Sequence, residues 1–368
     1  MMASEVYFSD FRVGHYGGPI PEKFKKLLLA AGIDKIDFKN KHVAIKIHFG
    51  ELGNMAYLRP QYAKVLADII KEKGGKPFLT DCNTLYVGSR KEAIEHMETA
   101  YENGYNPFTT GCHVIIADGL KGLNETLVPI DGEYVKEARI GEAIMEADIF
   151  ISLSHFKGHE ATGFGGAIKN IGMGCGSRAG KMEQHSTGKP SIKEDKCVGC
   201  KTCAKQCAQD AISFHEKKAS IDKNKCVGCG RCVSACPVDA VKTPEGHSNE
   251  ILCKKMAEYA YAVVKDRPQF HINVVSDVSP YCDCYYTNDT PMLPNIGMFA
   301  SFDAVALDMA CVDACNAAPA MPDSVLSEAA PACDHIHAAN PGTHWQDTLE
   351  HAQKLGMGTM EYELKKID

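Results

Sequence analysis

The chain has 368 residues and a net charge of −7, and its apolar content of 45% and charged content of 24% are those of an ordinary globular protein. No apolar run reaches the ~18 residues of a membrane-spanning helix, and the first residues do not resemble a signal peptide. The chain lacks a basic stripe with interleaved aromatic residues, which argues against nucleic-acid binding. We therefore expect a cytoplasmic protein of two or three domains that binds neither membrane nor nucleic acid.

Strand and helix patterns alternate through most of the chain. Strands are expected at residues 6–8, 43–48, 77–80, 114–117 and 149–153, and helices at 24–31, 60–73, 90–103 and 140–147. After an interruption the pattern resumes, with a strand at 270–275 and helices at 250–264, 302–316 and 345–355. Strands that alternate with helices predict an α/β fold with a mostly parallel sheet.

Two near-copies of a cysteine motif lie in that interruption. Both have the spacing Cys-x-x-Cys-x-x-Cys-x-x-x-Cys, as in bacterial two-cluster ferredoxins, where the fourth cysteine ligates the other motif's cluster. The spacing predicts two [4Fe–4S] clusters, the first held by Cys197, Cys200, Cys203 and Cys236, and the second by Cys226, Cys229, Cys232 and Cys207. Zinc knuckles and unligated core thiols are the alternatives. Ala208 stands where the second copy has Pro237, which removes no ligand.

The motifs also predict how the chain is divided. Residues 1–189 form the first part of the α/β domain, residues 190–245 a ferredoxin-like insert, and residues 246–368 the second part of the α/β domain. An insert that is tethered at both ends suits electron transfer to a fixed site. Because iron–sulfur clusters are assembled in a reducing cytosol, we expect the other cysteines to be thiols or metal ligands.

A segment rich in histidine, lysine and glycine directly follows the strand at 149–153. Ligands in open α/β sheets bind beyond the carboxyl ends of the strands, so this position favours an active site. The candidate catalytic residues are His155, Lys157, His159, Lys169 and His185. The candidate cofactor-binding residues are Gly163, Gly165, Gly166 and Asn170. Neither a P-loop nor a dinucleotide fingerprint is present. A structural glycine-rich turn is the alternative.

Further candidate ligands occur at other predicted strand ends. Cys282 and Cys284 share a face if their segment is extended, which makes them a candidate metal or substrate site. Cys311 and Cys315 share a helix face, and if the two faces meet, four thiols could bind zinc or another cluster. Buried packing is the alternative for all four. One pocket is predicted to be lined by residues 154–169 together with His48, Glu51, Asp81, Cys82 and Asn83, which also end predicted strands.

Two resemblances add to these patterns. Nearly the whole chain resembles a family of uncharacterised iron–sulfur-centre proteins, and the likeness is carried by residues 44–51, 79–86, 154–174, 282–284 and 296–301. That resemblance implies an α/β body with an inserted ferredoxin and gives no reaction. The spacing of His159, Lys169 and His185 is similar to the nickel-dependent lactate racemase family, whose members lack a ferredoxin. This second resemblance implies that Lys169 attaches a nickel pincer cofactor, His185 binds nickel and His159 transfers protons.

The sequence therefore supports more than one function. The main prediction is an oxidoreductase whose insert passes electrons from a redox partner protein to the His/Lys/Gly pocket, where an unidentified small molecule reacts. One alternative is an electron carrier whose α/β part is a docking scaffold. The other is a metal-binding or cofactor-binding protein, including a nickel protein of the racemase type. The sequence defines neither the substrate nor the oligomeric state.

Overall fold

A computed structural model describes residues 3–15, 18–86, 88–185, 189–207, 209–226, 231–242, 249–328 and 334–367. The strands are β1 Ser4–Asp10, β2 His42–Lys46, β3 Lys76–Asp81, β4 His113–Ile116, β5 Glu125–Pro129, β6 Glu137–Gly141, β7 Ile149–His155, β8 Lys157–His159, β9 Gly163–Gly165, β10 Ser191–Ile192, β11 Ile212–His215, β12 Lys218–Ile221, β13 Val241–Lys242, β14 Gln269–Val275, β15 Gly297–Ser301 and β16 Tyr362–Lys366. The helices are α1 Ile20–Ala30, α2 Pro60–Glu72, α3 Ala93–Glu102, α4 Pro107–Thr110, α5 Glu142–Glu146, α6 Ala167–Cys175, α7 Arg178–His185, α8 Thr202–Lys205, α9 Arg231–Ser234, α10 Asn249–Val264, α11 Ala304–Ala317, α12 Val325–Glu328, α13 His335–Ala339 and α14 Trp345–Lys354, with a 3₁₀ turn at Ile33–Lys35.

One eight-stranded sheet organises these elements, in the order β16-β1-β15-β14-β7-β2-β3-β4. Strands β14, β7, β2, β3 and β4 run parallel, whereas β15 is antiparallel to both β14 and β1. The predicted α/β fold with a mostly parallel sheet is thereby confirmed. Because the parallel strands end at one edge, side chains that follow β2, β3, β7 and β14 meet there.

Helices cover both faces of the sheet. In β2, Val43 and Ile45 point into a core formed with α1, α2 and α3, while Ala44 points into a core formed with α6, α10 and α11. Every residue of the central strand β7 is buried, as expected for a parallel strand covered on both faces. Among the residues that the structure describes, no helix has the length and apolarity needed to cross a membrane.

All the predicted elements occur within four residues of the predicted boundaries, and the shift of one boundary has a clear structural reason. The helix expected at 140–147 is shorter, because Ile140 belongs to β6, which pairs with β5, and the helix begins only at Glu142. Helix α6 was not predicted, since its sequence contains two glycines that disfavour helix.

The cysteine-rich region forms small two-stranded sheets instead of extending the main sheet. Strand β10 pairs with β13, so that Ile192 lies opposite Val241, and β11 pairs with β12. The first pairing brings the two ends of the region side by side, which is the arrangement that an insertion requires. The apolar cluster of the cysteine-rich region also includes Leu85 and Met182, which precede that region in the chain.

The first turn of α6 is closed by a carboxylate from α11. The backbone N–H groups of Ala167 and Ile168 donate to the two oxygens of Asp308 at 2.7 and 2.9 Å, and Asn273 donates to the same carboxylate at 2.7 Å. A side chain on Gly166 would meet Asp308 at 2.3 Å. The amides at this turn are therefore already satisfied by a protein anion.

We predict that Asp308→Asn lowers the free energy of unfolding by about 2 kcal/mol, because an amide NH₂ would face an N–H donor in a buried position. Urea denaturation measures this loss. Asp313→Asn, an exposed change on the same helix, is the matched control and should cost less than about 0.5 kcal/mol. Equal losses in both variants would contradict the capping role.

A buried ion pair joins the ends of β2 and β3. Lys46 Nζ lies 3.0 Å from Asp81 Oδ1, and both side chains are almost fully buried. On the other side of Asp81 lies His96, at 3.8 Å, with a ring that is fully buried. Burial lowers the pKa of His96 to about 3.

We predict a specific pH dependence from this neutral histidine. Because the pKa of His96 is lower in the folded chain than the ~6.5 of an unfolded one, the stability it carries is complete above pH 6.5 and is lost as the pH falls towards 3. His96→Phe should remove that loss, so the variant should gain about 2 kcal/mol relative to wild type between pH 7 and pH 5. Urea denaturation at both pH values measures the difference in free energy of unfolding between the variant and wild type. A difference that does not change with pH would contradict the low pKa of His96.

Candidate functional site

The candidate site is built around the loop that follows β14. The backbone N–H of Tyr285 donates to the carbonyl oxygen of Cys282 at 3.1 Å, which closes a turn over Cys282, Asp283 and Cys284. The extended conformation expected for this segment is therefore wrong. Cys282 is buried and Cys284 is exposed.

The buried carboxylate of Asp283 fixes this turn in place. His155 Nδ1 lies 2.9 Å from one Asp283 oxygen, and Lys157 Nζ lies 3.4 Å from the same atom. Burial alone would raise the pKa of Asp283, but His155 and Lys157 hold it below the ordinary value. The other ring nitrogen of His155 is 2.7 Å from the carbonyl oxygen of Ser276. Both nitrogens of His155 thus face acceptors, so its contacts are those of a residue that holds the loop.

Lys169 reaches the same turn from α6. Its Nζ donates to Cys282 Sγ at 3.0 Å. Burial would lower the pKa of Lys169, but the Cys282 sulfur raises it above the ordinary lysine value. A hydrogen bond from the Cys284 thiol, together with Lys169 and His159, holds the pKa of Cys282 well below that of a free cysteine despite burial. The arrangement favours a thiolate at Cys282.

The tautomer of His159 follows from its backbone contacts. Its Nδ1 accepts hydrogen bonds from the N–H groups of Ala161 and Thr162, both at 3.1 Å. Nε2 therefore carries the proton, and it lies 3.8 Å from Glu160; His159 also lowers the pKa of Cys282. The structure thus brings three of the predicted residues, His159, Lys169 and Cys282, into direct interaction.

The predicted cofactor-binding residues have packing roles in the structure. A side chain on Gly165 would lie 3.2 Å from the Lys169 side chain, and Gly163, at a φ of +78°, packs against Trp345. Asn170 accepts from Lys46 Nζ at 2.8 Å and donates to Ser152 Oγ at 3.1 Å. Binding of a cofactor by these residues stays a prediction.

His185, at the end of α7, lies beside the same group of residues. Its ring is 5.5 Å from the ring of Tyr86, centroid to centroid. Burial, with the nearby His159 and Lys169, lowers its pKa to about 4. His185 is therefore neutral at pH 7.

The remaining strand-end residues support the loop from the opposite side. Glu51 binds Arg90 at 3.1 Å and its backbone N–H donates to the carbonyl oxygen of Asp283 at 3.0 Å. Arg90 Nη1 also lies 3.0 Å from His48 Nε2. Arg90 and Lys46 were not among the predicted site residues. For Lys46, a charged residue at the end of an apolar strand is the signal that could have found it.

Other predicted residues are placed apart from this loop. Cys82 donates to the carbonyl oxygen of Cys175 at 3.3 Å, and Asn83 donates to Asp118 at 2.8 Å. Cys311 and Cys315 are fully buried on α11, where Cys311 accepts from Asn273 at 3.5 Å. Within the described parts of the chain, three or more His, Cys, Asp or Glu side chains nowhere come close enough to hold a single metal ion. Within these parts of the chain, the Cys282–Cys284 and Cys311–Cys315 pairs therefore do not come together as a four-thiol metal site.

A separate cavity lies in the cysteine-rich region. Its volume is ≈ 300 Å³ including the part open to solvent. The four cysteines that line it are Cys197, Cys200, Cys203 and Cys236. Lys201 also lines the cavity, and the other lining residues are apolar, among them Ile192, Phe214, Val238 and Val241. The motif spacing assigns the same four cysteines to one cluster.

The second predicted set is described only in part. Cys207 and Cys226 are half-buried and Cys232 is buried. Cys229 lies outside the described residues, as does Ala208, which follows Cys207. Cys207 Sγ accepts from the backbone N–H of Ala211 at 3.4 Å.

Comparison with known proteins gives distant relatives. A thylakoid-associated protein of Synechocystis sp., sll1697, is 28% identical over 123 residues, which are 33% of this chain and 34% of that protein. The chain thus matches about a third of the length of this curated relative. The structure of the lactate racemase apoprotein from Thermoanaerobacterium thermosaccharolyticum is 12% identical, with a TM-score of 0.38, over 74% of this chain and 51% of that one. A protein from Thermotoga maritima is 14% identical, with a TM-score of 0.38, over 72% of this chain and 53% of that one.

A family model matches a much larger part of the sequence. Residues 43–313, more than half of the chain, match the model described as a domain of unknown function, DUF362. The match spans the parallel strands of the main sheet, the Cys282 loop and the cysteine-rich region. It confirms the expected membership of an uncharacterised family and names no reaction. The chain belongs to the DUF362 family.

Proposed function

We propose that this protein is a cofactor-binding iron–sulfur protein in which residues 190–245 form a ferredoxin-like insert with two [4Fe–4S] clusters. The observation that carries the proposal is the cavity whose lining includes Cys197, Cys200, Cys203 and Cys236. Their spacing in sequence and their position around one space lead independently to the same four thiols.

The surroundings of these sulfur atoms suit a bound cluster. The backbone N–H groups of Ala219 and Ala240 donate to Cys197 Sγ and Cys236 Sγ at 3.4 and 3.2 Å. Hydrogen bonds of this kind and an apolar lining tune the potential of a cluster. When bound, a [4Fe–4S] cluster supplies one-electron redox chemistry at this position.

The α/β part supports the oxidoreductase form of the proposal. Met182 of α7 packs into the apolar cluster of the cysteine-rich region, and His185, one turn later on α7, lies beside Lys169 and His159. One helix thus packs against the proposed cluster domain and ends near two residues, Lys169 and His159, that act on Cys282. We propose that the insert exchanges electrons between a redox partner protein and a substrate bound near that loop. A pure electron carrier would leave the buried Lys169–Cys282 contact without a role.

A second candidate function is binding of a metal or organic cofactor at Lys169, as in the racemase-type hypothesis. The observation that favours it is the convergence of Lys169, His159 and His185 on one place beside Cys282. In that case Lys169 would attach the cofactor, His185 would bind the metal and His159 would move a proton at Nε2.

The iron–sulfur proposal predicts about eight iron and eight sulfide per chain after anaerobic purification or reconstitution. Cys236→Ala and, separately, Cys197→Ala should each lower the iron content to about four, because each removes a ligand of one cluster only. Iron and sulfide assays with electron paramagnetic resonance of the reduced protein measure this.

Cys112→Ser, a buried thiol of the α/β part, is the control for these variants and should keep the full iron content. A reconstituted wild-type protein with less than about one iron per chain, or with zinc in place of iron, would overturn the proposal.

The second candidate predicts a mass addition on the peptide that contains Lys169, or tightly bound nickel in the native protein. Intact-protein and peptide mass spectrometry together with metal analysis test it, and Lys169→Ala should lose the added mass. An unmodified Lys169 in a nickel-free protein purified from nickel-supplemented cells removes this candidate.

A further inference from the structure

The turn after β14 places two cysteines of unlike exposure in contact. Two residues of extended chain span about 7 Å, which is near the limit beyond which two cysteines cannot be bridged. The Cys282–Tyr285 turn shortens this separation, and Cys284 is close enough to contribute the largest lowering of the pKa of Cys282. Cys282 has no exposed surface, whereas Cys284 is open to solvent.

The charges around the pair are also asymmetric. Lys169 Nζ stands 3.0 Å from Cys282 Sγ, and His159 also lowers the pKa of this thiol. The carboxylate of Asp283 between the two cysteines is turned to His155 and Lys157. The titratable side chains that act on Cys282 from the packed elements are Cys284, Lys169, His159, Asp283, His48 and Tyr285.

We propose that Cys282 and Cys284 form a reversible disulfide that exchanges with external thiols. In this exchange Cys284 is the sulfur that is attacked, and Cys282 is the leaving sulfur, held as a thiolate by Lys169 and His159. This inference goes beyond the proposed iron–sulfur function and does not depend on it.

The exchange balances with a small thiol, RSH, as the reductant. A thiolate RS⁻ attacks Cys284 Sγ and forms a mixed disulfide, while the Cys282–Cys284 bond breaks and its electron pair remains on Cys282. A second RS⁻ then attacks the sulfur of the RS group attached to Cys284. This step releases RSSR and leaves Cys284 as a thiolate, which takes up one proton. The two RSH molecules thus deliver two electrons and one proton to the pair, and the other proton goes to solvent.

The positions of the two sulfur atoms fit these roles. Only the exposed Cys284 can be reached by an external thiol, and attack is fastest when the leaving sulfur is a stabilised thiolate. Lys169 supplies that stabilisation at the buried sulfur. In the reverse direction the same thiolate at Cys282 resolves a mixed disulfide on Cys284 without needing a base.

Equilibration of the holoprotein in anaerobic glutathione buffers of increasing oxidised fraction tests the proposal. After acid quenching and alkylation, peptide mass spectrometry should show conversion of Cys282 and Cys284 from two thiols to one disulfide. Lys169→Met removes the charge that stabilises the reduced pair, so the equilibrium should shift about tenfold towards the disulfide, which is a midpoint about 30 mV lower. Lys169→Arg keeps the charge and should stay closer to the wild-type midpoint.

The matched control within the same chain is the buried pair Cys311 and Cys315. Burial raises the pKa of both thiols, so they should remain as thiols in every buffer. Single variants assign the roles: glutathione should attach to Cys284 in Cys282→Ser much faster than to Cys282 in Cys284→Ser. A wild-type pair that stays reduced in the most oxidising buffer overturns the proposal, as does an unchanged midpoint in a folded Lys169→Met protein. Iron content, measured on the same samples, reports separately on the iron–sulfur proposal.

Discussion

The buried carboxylate of Asp283 is the constraint on which the rest of the site depends. A carboxylate without exposed surface is tolerated only when it is paired, and His155 and Lys157 supply the partners. Because His155 ends β7 and Lys157 begins β8, this one group ties the loop after β14 to the neighbouring parallel strand. Loss of both partners would leave the carboxylate buried without a counter-charge, typically at a cost of about 3–5 kcal/mol. Two residues that the sequence predicts as catalytic are thus required first for holding the loop.

The glycines explain how lysines reach the interior beside this carboxylate. A side chain on Gly174 would lie 2.4 Å from Lys46 Nζ, and one on Gly165 would crowd both Lys157 and Lys169. The glycine-rich segment therefore makes room for ammonium groups that pair with Asp81, Asp283 and Cys282. It does so on a helix whose first amides are already bound by Asp308, so the segment is neither an anion loop nor an irregular turn.

The sequence predicted the sheet well because buried parallel strands are near-continuous apolar runs, as in β2 and β7. It also placed His159 and Lys169 in one pocket, since both follow the end of β7, but it assigned Cys282 to a separate candidate metal site. It could not predict that Asp283 organises them, because the partners of a carboxylate 128 residues from His155 are set by the fold. Nor could it find helix α6, whose glycines lower its helix propensity and are tolerated because Gly172 packs closely against the backbone of α10.

The two groups of cysteines have different hydrogen-bond donors to their sulfur atoms, although the spacing of both groups in the sequence is compatible with metal ligands. Around Cys197 and Cys236 the donors to sulfur are neutral backbone amides, which suit a sulfur whose charge is shared with iron. Cys282 instead receives a full ammonium from Lys169, which suits a thiolate that has no metal to neutralise it. Helix α7 lies between the two groups: Met182 packs in the apolar cluster of the cysteine-rich region, and His185 is near enough to Lys169 and His159 for both to lower its pKa.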